Sequence, residues 1–287
     1  MLNILIKSLT SFLLLLTIGI ANSANTAPEF DLGQFVTIPG GTYVIGSPEN
    51  EPFREASERL HSVKLSPYSI MDAAVTQESY ATVMGENPSG FKNPKYCPLS
   101  FKEIEVNGKK IAVCADHPVE EVSWDDANKF ANRLNELDPK HKYDLPTEAQ
   151  LEVAFRGGTN TAFVTGPYTS RDDMANLKKY VWYVENSNNQ THPVKSTQKN
   201  AFGFYRSSVW EWVRDWQAFK YEYAGSEGLD PKGPEGPDTS RGRYPARVVR
   251  GCAFASPFTS CRSAYRYFAS PDARGNYMGF RLVRTLK

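Results

Sequence analysis

The sequence has few of the residues on which soft-metal and nucleophilic sites depend. Its 287 residues include only four cysteines and four histidines, and no two histidines have the H-x3-H spacing of a shared metal site on a helix. The chain also lacks a glycine-rich phosphate loop, a nucleophile elbow and a basic patch interleaved with aromatic residues. These absences argue against nucleotide hydrolysis, serine-hydrolase chemistry and nucleic-acid recognition.

Neither sign of charge is in excess. The chain carries 33 Lys and Arg against 32 Asp and Glu, a net charge of +1. No long-range field therefore steers it toward nucleic acid or an anionic membrane. Aromatic residues, in contrast, make up 13% of the sequence, which favours a well-buried fold with aromatic surface loops.

Long apolar runs are confined to the first residues of the chain. Lys7 precedes the run Phe12–Ile20, and the small residues Ala21–Ala24 follow it. The run is too short to span a bilayer and is typical of a cleavable secretory signal. We expect a signal peptide over residues 1–23, a linker over 24–34 and an exported protein in the periplasm, on the cell surface or secreted. An uncleaved N-terminal anchor is the alternative.

The four cysteines allow three disulfide pairings, and export permits any of them. The segment between Cys97 and Cys114 alternates around Asn107-Gly108, a pattern that predicts a β-hairpin with a tight turn. Such a hairpin brings its two ends together and favours the pair Cys97–Cys114. Cys252 and Cys261 then remain, either bridged or as free thiols.

The rest of the chain predicts a few helices, short strands and long loops. Two strands are expected around the turn at residues 39–41, and helices over Thr76–Met84, over Ser123–Glu136 and from Thr147 to Gly157. Residues 224–245 contain almost nothing apolar and predict a long loop. No second apolar stretch reaches membrane-spanning length, so the mature chain is expected to lack a transmembrane segment.

A succession of motifs resembles the formylglycine-generating enzyme (sulfatase-modifying factor) domain family. The motifs are "IPGGTYVIGS", "HPVEEVSWDDANKFANRLNE", "YDLPTEAQLEVAFRGG", "VWYVENSNNQTHPV", "NAFGFY", "VWEWVRDW", "RVVRG", "CRSAYR" and "MGFRLVR". They extend in the family's order from Phe35 to Arg284. The resemblance implies a single α+β domain over residues 35–287, a C-type-lectin-like variant with few helices, short antiparallel strands and long irregular loops.

The family includes copper-dependent oxidases that convert a cysteine of sulfatases to formylglycine, and these use two cysteines five positions apart. The resemblance places the second of them on Cys261, as a remnant copper ligand, and the first on Ser256, whose hard hydroxyl suits Cu(I) poorly. The family's catalytic serine and histidine fall on Ala253 and Pro257. Cys252 does not restore the pair, since it lies nine residues before Cys261. Copper is not expected, and catalysis is disfavoured.

Calcium is the metal that the resemblance implies, as a structural ion held by loop oxygens. One family site falls on Asn176 and on Leu177, the latter through its backbone carbonyl. A second family site uses Glu211, but the preceding segment Arg206–Ser208 is about two residues shorter than the family's and lacks its Gly-Asn. That second site is in doubt.

Four further polar residues stand in motifs typical of the family. His117 and His192 each precede Pro-Val, and we expect both to be structural, with partners in the loop network. Arg266 and Arg281 are expected to form buried ion pairs rather than to hold a substrate.

The stretch between the C-terminal motifs has a restricted composition. Every residue in it can be reached from an Asn codon by changing adenines alone, and Lys, Glu, Gln, Met and Trp are missing from the set. This resembles the variable region of proteins diversified by retroelements. The candidate ligand-binding residues in this region are Cys252, Ala253, Phe254, Ala255, Ser256, Phe258, Thr259, Tyr267, Phe268, Ala273, Asn276 and Tyr277.

Aromatic and small residues on a rigid frame have the composition of a binding surface. The sequence therefore predicts an exported, non-catalytic protein that binds a protein or glycan ligand through residues of about 252–277. Two alternatives remain: a formylglycine-generating oxidase or related sulfatase-maturation enzyme with a degenerate copper site, and a structural accessory of an exported complex.

Overall fold

The structure is a computed structural model that describes residues 30–218, 228–239 and 243–287. The predicted signal peptide and most of the predicted linker lie outside the described residues, as do residues 224–227 and 240–242 of the predicted loop at 224–245. In the described part of the chain no helix has both the length and the apolarity that crossing a membrane requires.

The helices begin where their capping residues stand. The described residues form four helices: α1 (Gln77–Met84), α2 (Trp124–Leu137), α3 (Glu148–Arg156) and α4 (Asp173–Leu177). Ser123 and Thr147 each cap a helix, and the side chain of the third helical residue bonds back to the cap in both. The three helices expected from the sequence are confirmed. The five-residue α4 was missed, because it is too short to show a hydrophobic period.

The strands are short. They are β1 (Phe35–Ile38), β2 (Gly41–Ile45), β3 (His61–Leu65), β4 (Tyr68–Met71), β5 (Phe101–Val106), β6 (Lys109–Cys114), β7 (His141–Asp144), β8 (Trp210–Trp216), β9 (Arg247–Arg250), β10 (Arg266–Ala269), β11 (Met278–Phe280) and β12 (Val283–Leu286). They build four-stranded sheets in the orders β1-β4-β12-β7 and β10-β9-β8-β11, and the hairpins β2-β3 and β5-β6.

The two strands expected around the 39–41 turn are confirmed, and their pairing partners are other strands. The strands on either side of the 39–41 turn exist, but β1 pairs with β4 and β2 pairs with β3, so they belong to different sheets. The ladders are antiparallel except for β11, which runs parallel to β8. The long segment between those two strands allows the parallel pairing, since a tight turn cannot join parallel neighbours.

Side chains of the helices and sheets fill two large apolar clusters. In one, Tyr80 stacks on Phe130, and both meet Phe280 edge to face. In the other, Phe155 of α3 packs against Phe204 beneath the β1 and β2 strands. The described residues form the mixed, loop-rich α+β fold that the sequence predicts.

The hairpin β5-β6 turns at Asn107 and Gly108, which both have positive φ, at 52° and 76°. This is the backbone of the tight turn expected from the Asn-Gly pair. Cys97 and Cys114 are bonded at the base of the hairpin with their Cα atoms 5.7 Å apart.

Gly46 tests how closely the loop after β2 is packed. Its φ is +84°, and a Cβ at this position would lie 2.2 Å from the carbonyl oxygen of Arg59. Gly85 has a similar φ of +75° but open space around it. We expect Gly85→Ala to lower the free energy of unfolding by about 1–2 kcal/mol, the cost of a left-handed residue. Gly46→Ala should lower the free energy of unfolding by at least twice as much, as measured by urea denaturation. Equal losses for the two variants would show that the loop shifts to accommodate the added Cβ.

Candidate binding surface at the C-terminal segment

The frame of the C-terminal segment rests on two carboxylates of α3. Glu148 and Glu152 stand four residues apart and therefore point from the same face of the helix. Glu152 bonds to Arg156 at 2.7 Å and to Arg250. Glu148 receives two hydrogen bonds from Arg266, at 2.6 and 2.9 Å. All five side chains are buried.

These ion pairs also fasten backbone that has no regular structure. Arg250 donates from its Nη1 to the carbonyl of Ala264 at 2.9 Å and from its Nη2 to that of Ser263 at 2.8 Å. Arg156 donates to the carbonyl of Gly46 at 2.5 Å. The planar guanidinium fork suits such paired recognition. The arginines thus join α3, β9 and the loop that leads into β10.

A second unit ties the loop between β2 and β3 to the same segment. Arg262 donates to Glu58 at 2.5 and 2.6 Å and to Glu51 at 3.0 Å. The side chains of Arg262 and Glu58 are 0% exposed. Burial alone would lower the pKa of Arg262, but Glu58 and Glu51 hold it above its ordinary value, and Arg262 also donates to the carbonyl of Thr259 at 3.0 Å.

Together these two units form what we call the arginine–glutamate network. Its members are Arg156, Arg250, Arg262, Arg266, Glu51, Glu58, Glu148 and Glu152. Positive and negative side chains are equal in number, so the buried charge is balanced. Buried pairs of this kind fix geometry more than they add net stability, and removing one partner is costly. The expectation that Arg266 is in a buried ion pair is confirmed, as it is for Arg281, which pairs with Glu211.

Cys252 and Cys261 are bonded to each other, with Cα atoms 4.9 Å apart. Both are buried, and the bond closes the short loop between β9 and β10. Ser256 accepts a hydrogen bond from the backbone N–H of Ala253 at 3.1 Å. The copper site implied by the resemblance would hold Cu(I) with two soft thiolates, and these side chains offer a disulfide and a hydroxyl already in a hydrogen bond. The residues at this position do not fit a copper centre.

The structure divides the predicted ligand-binding residues into two groups. Cys252, Ala253, Phe254 and Ser256 are buried, and their side chains lie beneath the surface rather than on it. This part of the loop is held in the interior by the disulfide and by Phe254, whose ring centroid lies 5.2 Å from that of Phe91. The remaining positions are exposed or half-buried: Ala255, Phe258, Thr259, Tyr267, Phe268, Ala273, Asn276 and Tyr277.

Aromatic residues dominate the exposed group. Tyr267, Phe268 and Tyr277 have 40%, 43% and 38% of their surface exposed. The Tyr267 ring lies 5.5 Å from that of Trp210 and 6.1 Å from that of Phe268. Burial, followed by the proximity of Tyr277 and Tyr244, raises the pKa of Tyr267. We use the name aromatic patch for the following five residues: Trp210, Tyr244, Tyr267, Phe268 and Tyr277.

A second aromatic group surrounds Phe258. Its ring stacks on Tyr168 at 5.5 Å and meets Phe53 edge to face at 5.6 Å. Phe53 is 48% exposed and has a φ of +64°, a rare conformation for a bulky residue and one that is enriched at functional sites. Sequence reasoning missed Phe53 and Tyr168, because they are far from the C-terminal stretch in the chain and no local pattern marks them.

The predicted calcium residues have other partners. The carbonyl of Leu177 accepts backbone bonds from Tyr180 at 2.9 Å and Val181 at 3.1 Å, and the side-chain oxygen of Asn176 accepts from Lys179 at 3.1 Å. Both oxygens of Glu211 accept from Arg281. No cluster of His, Cys, Asp or Glu suited to a metal ion occurs in the described residues. Calcium at these residues stays a prediction.

Both predicted structural histidines are bonded inside the loop network. The His117 ring lies 3.0 Å from the hydroxyl of Thr191, and burial lowers its pKa to about 4. His192 lies 2.7 Å from the carbonyl of Ser187 and stacks on Trp182 at 3.7 Å. Their structural role is consistent with these contacts.

The fold and this segment define a loop-rich α+β domain whose C-terminal region carries an aromatic surface on a charged, buried frame. The chain belongs to the sulfatase-modifying factor enzyme 1-like domain family, which matches residues 21–286. The resemblance drawn from the motifs is thereby confirmed.

Individual relatives include both enzymes and a variable protein. A formylglycine-generating enzyme of Streptomyces coelicolor is 28% identical over 301 residues, covering 88% of this chain and 90% of that protein. Treponema denticola variable protein 1 has a TM-score of 0.68 and 26% identity, covering 88% of this chain and 97% of that one. PvdO from Pseudomonas aeruginosa has the same TM-score and identity, covering 88% and 94%.

The arginine–glutamate network predicts that breaking a buried ion pair costs far more free energy of unfolding than breaking an exposed one. Glu58→Gln keeps the shape of the side chain but leaves Arg262 without its principal counter-charge. We expect it to lower the free energy of unfolding by about 3–5 kcal/mol in urea denaturation. The control is Glu136→Gln in the exposed pair with Arg133, where about 0.5 kcal/mol is expected. A loss at Glu58 no larger than the control would contradict the role given to the network.

Proposed function

We propose that this protein is an exported, non-catalytic binding protein whose C-terminal segment presents a diversified recognition surface. The observation that carries the proposal is the aromatic patch, in which Tyr267, Phe268 and Tyr277 are exposed on a frame held by buried ion pairs. Large rigid side chains beside small neighbours bind with little loss of conformational entropy.

The chemistry of the neighbouring residues supports binding over oxidation. The position that bears the first copper ligand in the oxidases is Ser256, and Cys261 is bonded to Cys252. Similarity to a variable protein at 26% identity across 88% of this chain also favours this function. The ligand is a protein or a glycan.

The binding function is tested with the purified chain on arrays of glycans and of exported proteins. The double variant Tyr267→Ala, Tyr277→Ala should weaken any ligand found for the native protein by at least about tenfold, because central aromatic residues dominate binding energy. Leu99→Ala is the control, since Leu99 is fully exposed but lies in the segment before β5. Equal binding by native protein and double variant would contradict the proposal.

Diversification is tested separately, by sequencing the gene and its surroundings in related strains. The eight exposed or half-buried positions should differ between copies while Arg262, Arg266 and Gly279 stay the same. A neighbouring reverse-transcriptase gene with an adenine-rich template repeat is expected. Identical sequences at all these positions would refute diversification and leave the binding function standing.

The second candidate is a formylglycine-generating oxidase, which the 28% identity to the Streptomyces coelicolor enzyme favours. It is tested by incubating the chain with Cu(I), oxygen and a Cys-x-Pro-x-Arg peptide and following the aldehyde by mass spectrometry. Turnover that disappears in Cys261→Ala would replace the binding proposal.

A further inference from the structure

β10 lies at the edge of its sheet, next to β9. Successive residues of a strand direct their N–H and C=O groups to opposite sides, so alternate residues of β10 point away from β9. Among the described residues, no backbone group of Tyr267, Phe268 or Ala269 bonds to backbone outside that ladder. This edge also lacks the exposed lysine or proline that commonly blocks strand addition.

A cleft of about 200 Å³ borders β10. It is lined by residues of β9 and β10, by Gln217, and by the loop between β2 and β3: Val248, Arg266, Tyr267, Phe268, Gln217, Glu55, Ala56 and Ser57. This loop is held in place, because the carbonyl of Ser57 accepts a hydrogen bond from Arg266 at 3.3 Å and the adjacent Glu58 is bonded to Arg262. The cleft is therefore a preformed feature of the fold.

The charges of the cleft are unequal. Arg266 is paired with Glu148, so its charge is compensated. The exposed carboxylate of Glu55 has no ion pair among the described residues. An occupant that places a basic side chain beside Glu55 would complement the charge left on the cleft.

We propose that the cleft binds an extended peptide segment of a partner protein, which adds a strand to β10. The segment inserts an apolar side chain between Phe268 and the loop at residues 55–57 and places a lysine or arginine beside Glu55. This deepens the proposed binding function, on which it rests, because it names a peptide backbone as the ligand recognised at the edge of the aromatic patch.

The edge itself selects a peptide over a glycan. Strand addition satisfies N–H and C=O groups in alternation along a strand, and side chains on alternate positions give specificity. A strand rises about 3.4 Å per residue, so a segment of four or five residues matches the length of β10. Sugars lack this regular repeat of donor and acceptor.

The probe is a library of acetylated, amidated heptapeptides, Lys-Val-Lys-Xaa-Lys-Val-Lys, with Xaa varied and binding followed by fluorescence anisotropy. Two further libraries carry backbone N-methyl groups, one on the odd positions and one on the even positions. Since only one edge of an added strand faces β10, one N-methylated series should bind at least tenfold more weakly and the other should keep its affinity. Amide exchange at β10 should slow when the peptide binds.

Glu55→Lys should weaken the peptides at least fivefold, and Glu49→Lys, an exposed acid earlier in the same loop, should not. The proposal is overturned if both N-methylated series bind like the parent, if Glu55→Lys has no effect, or if no member binds at ~1 mM, the millimolar limit of weak recognition. Protection of β10 that grows with protein concentration without peptide would assign the edge to a second copy instead. A ligand lost in Tyr267→Ala, Tyr277→Ala while the peptides fail would overturn strand addition and leave the binding function intact.

Discussion

Balanced burial of charge is the constraint on which the C-terminal half of this fold depends. A segment with so little regular structure cannot satisfy its carbonyl groups in helices or ladders, and buried carbonyls left unpaired are costly. The guanidinium groups of Arg250, Arg262 and Arg266 satisfy them, and each arginine is held in turn by a glutamate from an element distant in sequence. The result is a loop with the fixed geometry of a core.

This arrangement separates the residues that hold the fold from those that face outward. The network and the Cys252–Cys261 bond lie inside, whereas Ala255, Thr259, Tyr267 and Tyr277 reach the surface. Changes at exposed positions of such a surface leave buried ion pairs intact, since those pairs draw on none of the exposed side chains. The scaffold is shared with formylglycine-generating enzymes and with a variable protein, and it is compatible with the recognition surface proposed here, because fold alone does not set function.

Short sequence motifs predicted the features that depend on neighbouring residues. The caps Ser123 and Thr147, the hairpin at Asn107-Gly108 and the pairing of Arg281 follow from short motifs and appear in the structure. The contributions of Phe53 and the loop at Glu55–Ser57 to the surface could not be predicted, because long-range pairs such as Arg262–Glu58 bring them there. The burial of Phe254 was likewise hidden, since composition cannot tell a paratope residue from a core aromatic.

The most direct measurement of this account is amide hydrogen exchange across the C-terminal segment of the native protein. The N–H of Phe254 bonds to Ser208 at 2.8 Å and that of Ser263 to Ala162 at 2.7 Å, and the network holds both loops in place. These amides should exchange only through global unfolding, as slowly as those of β8. Exchange at the rate of an open loop would contradict the claim that buried arginine–glutamate pairs make this surface rigid.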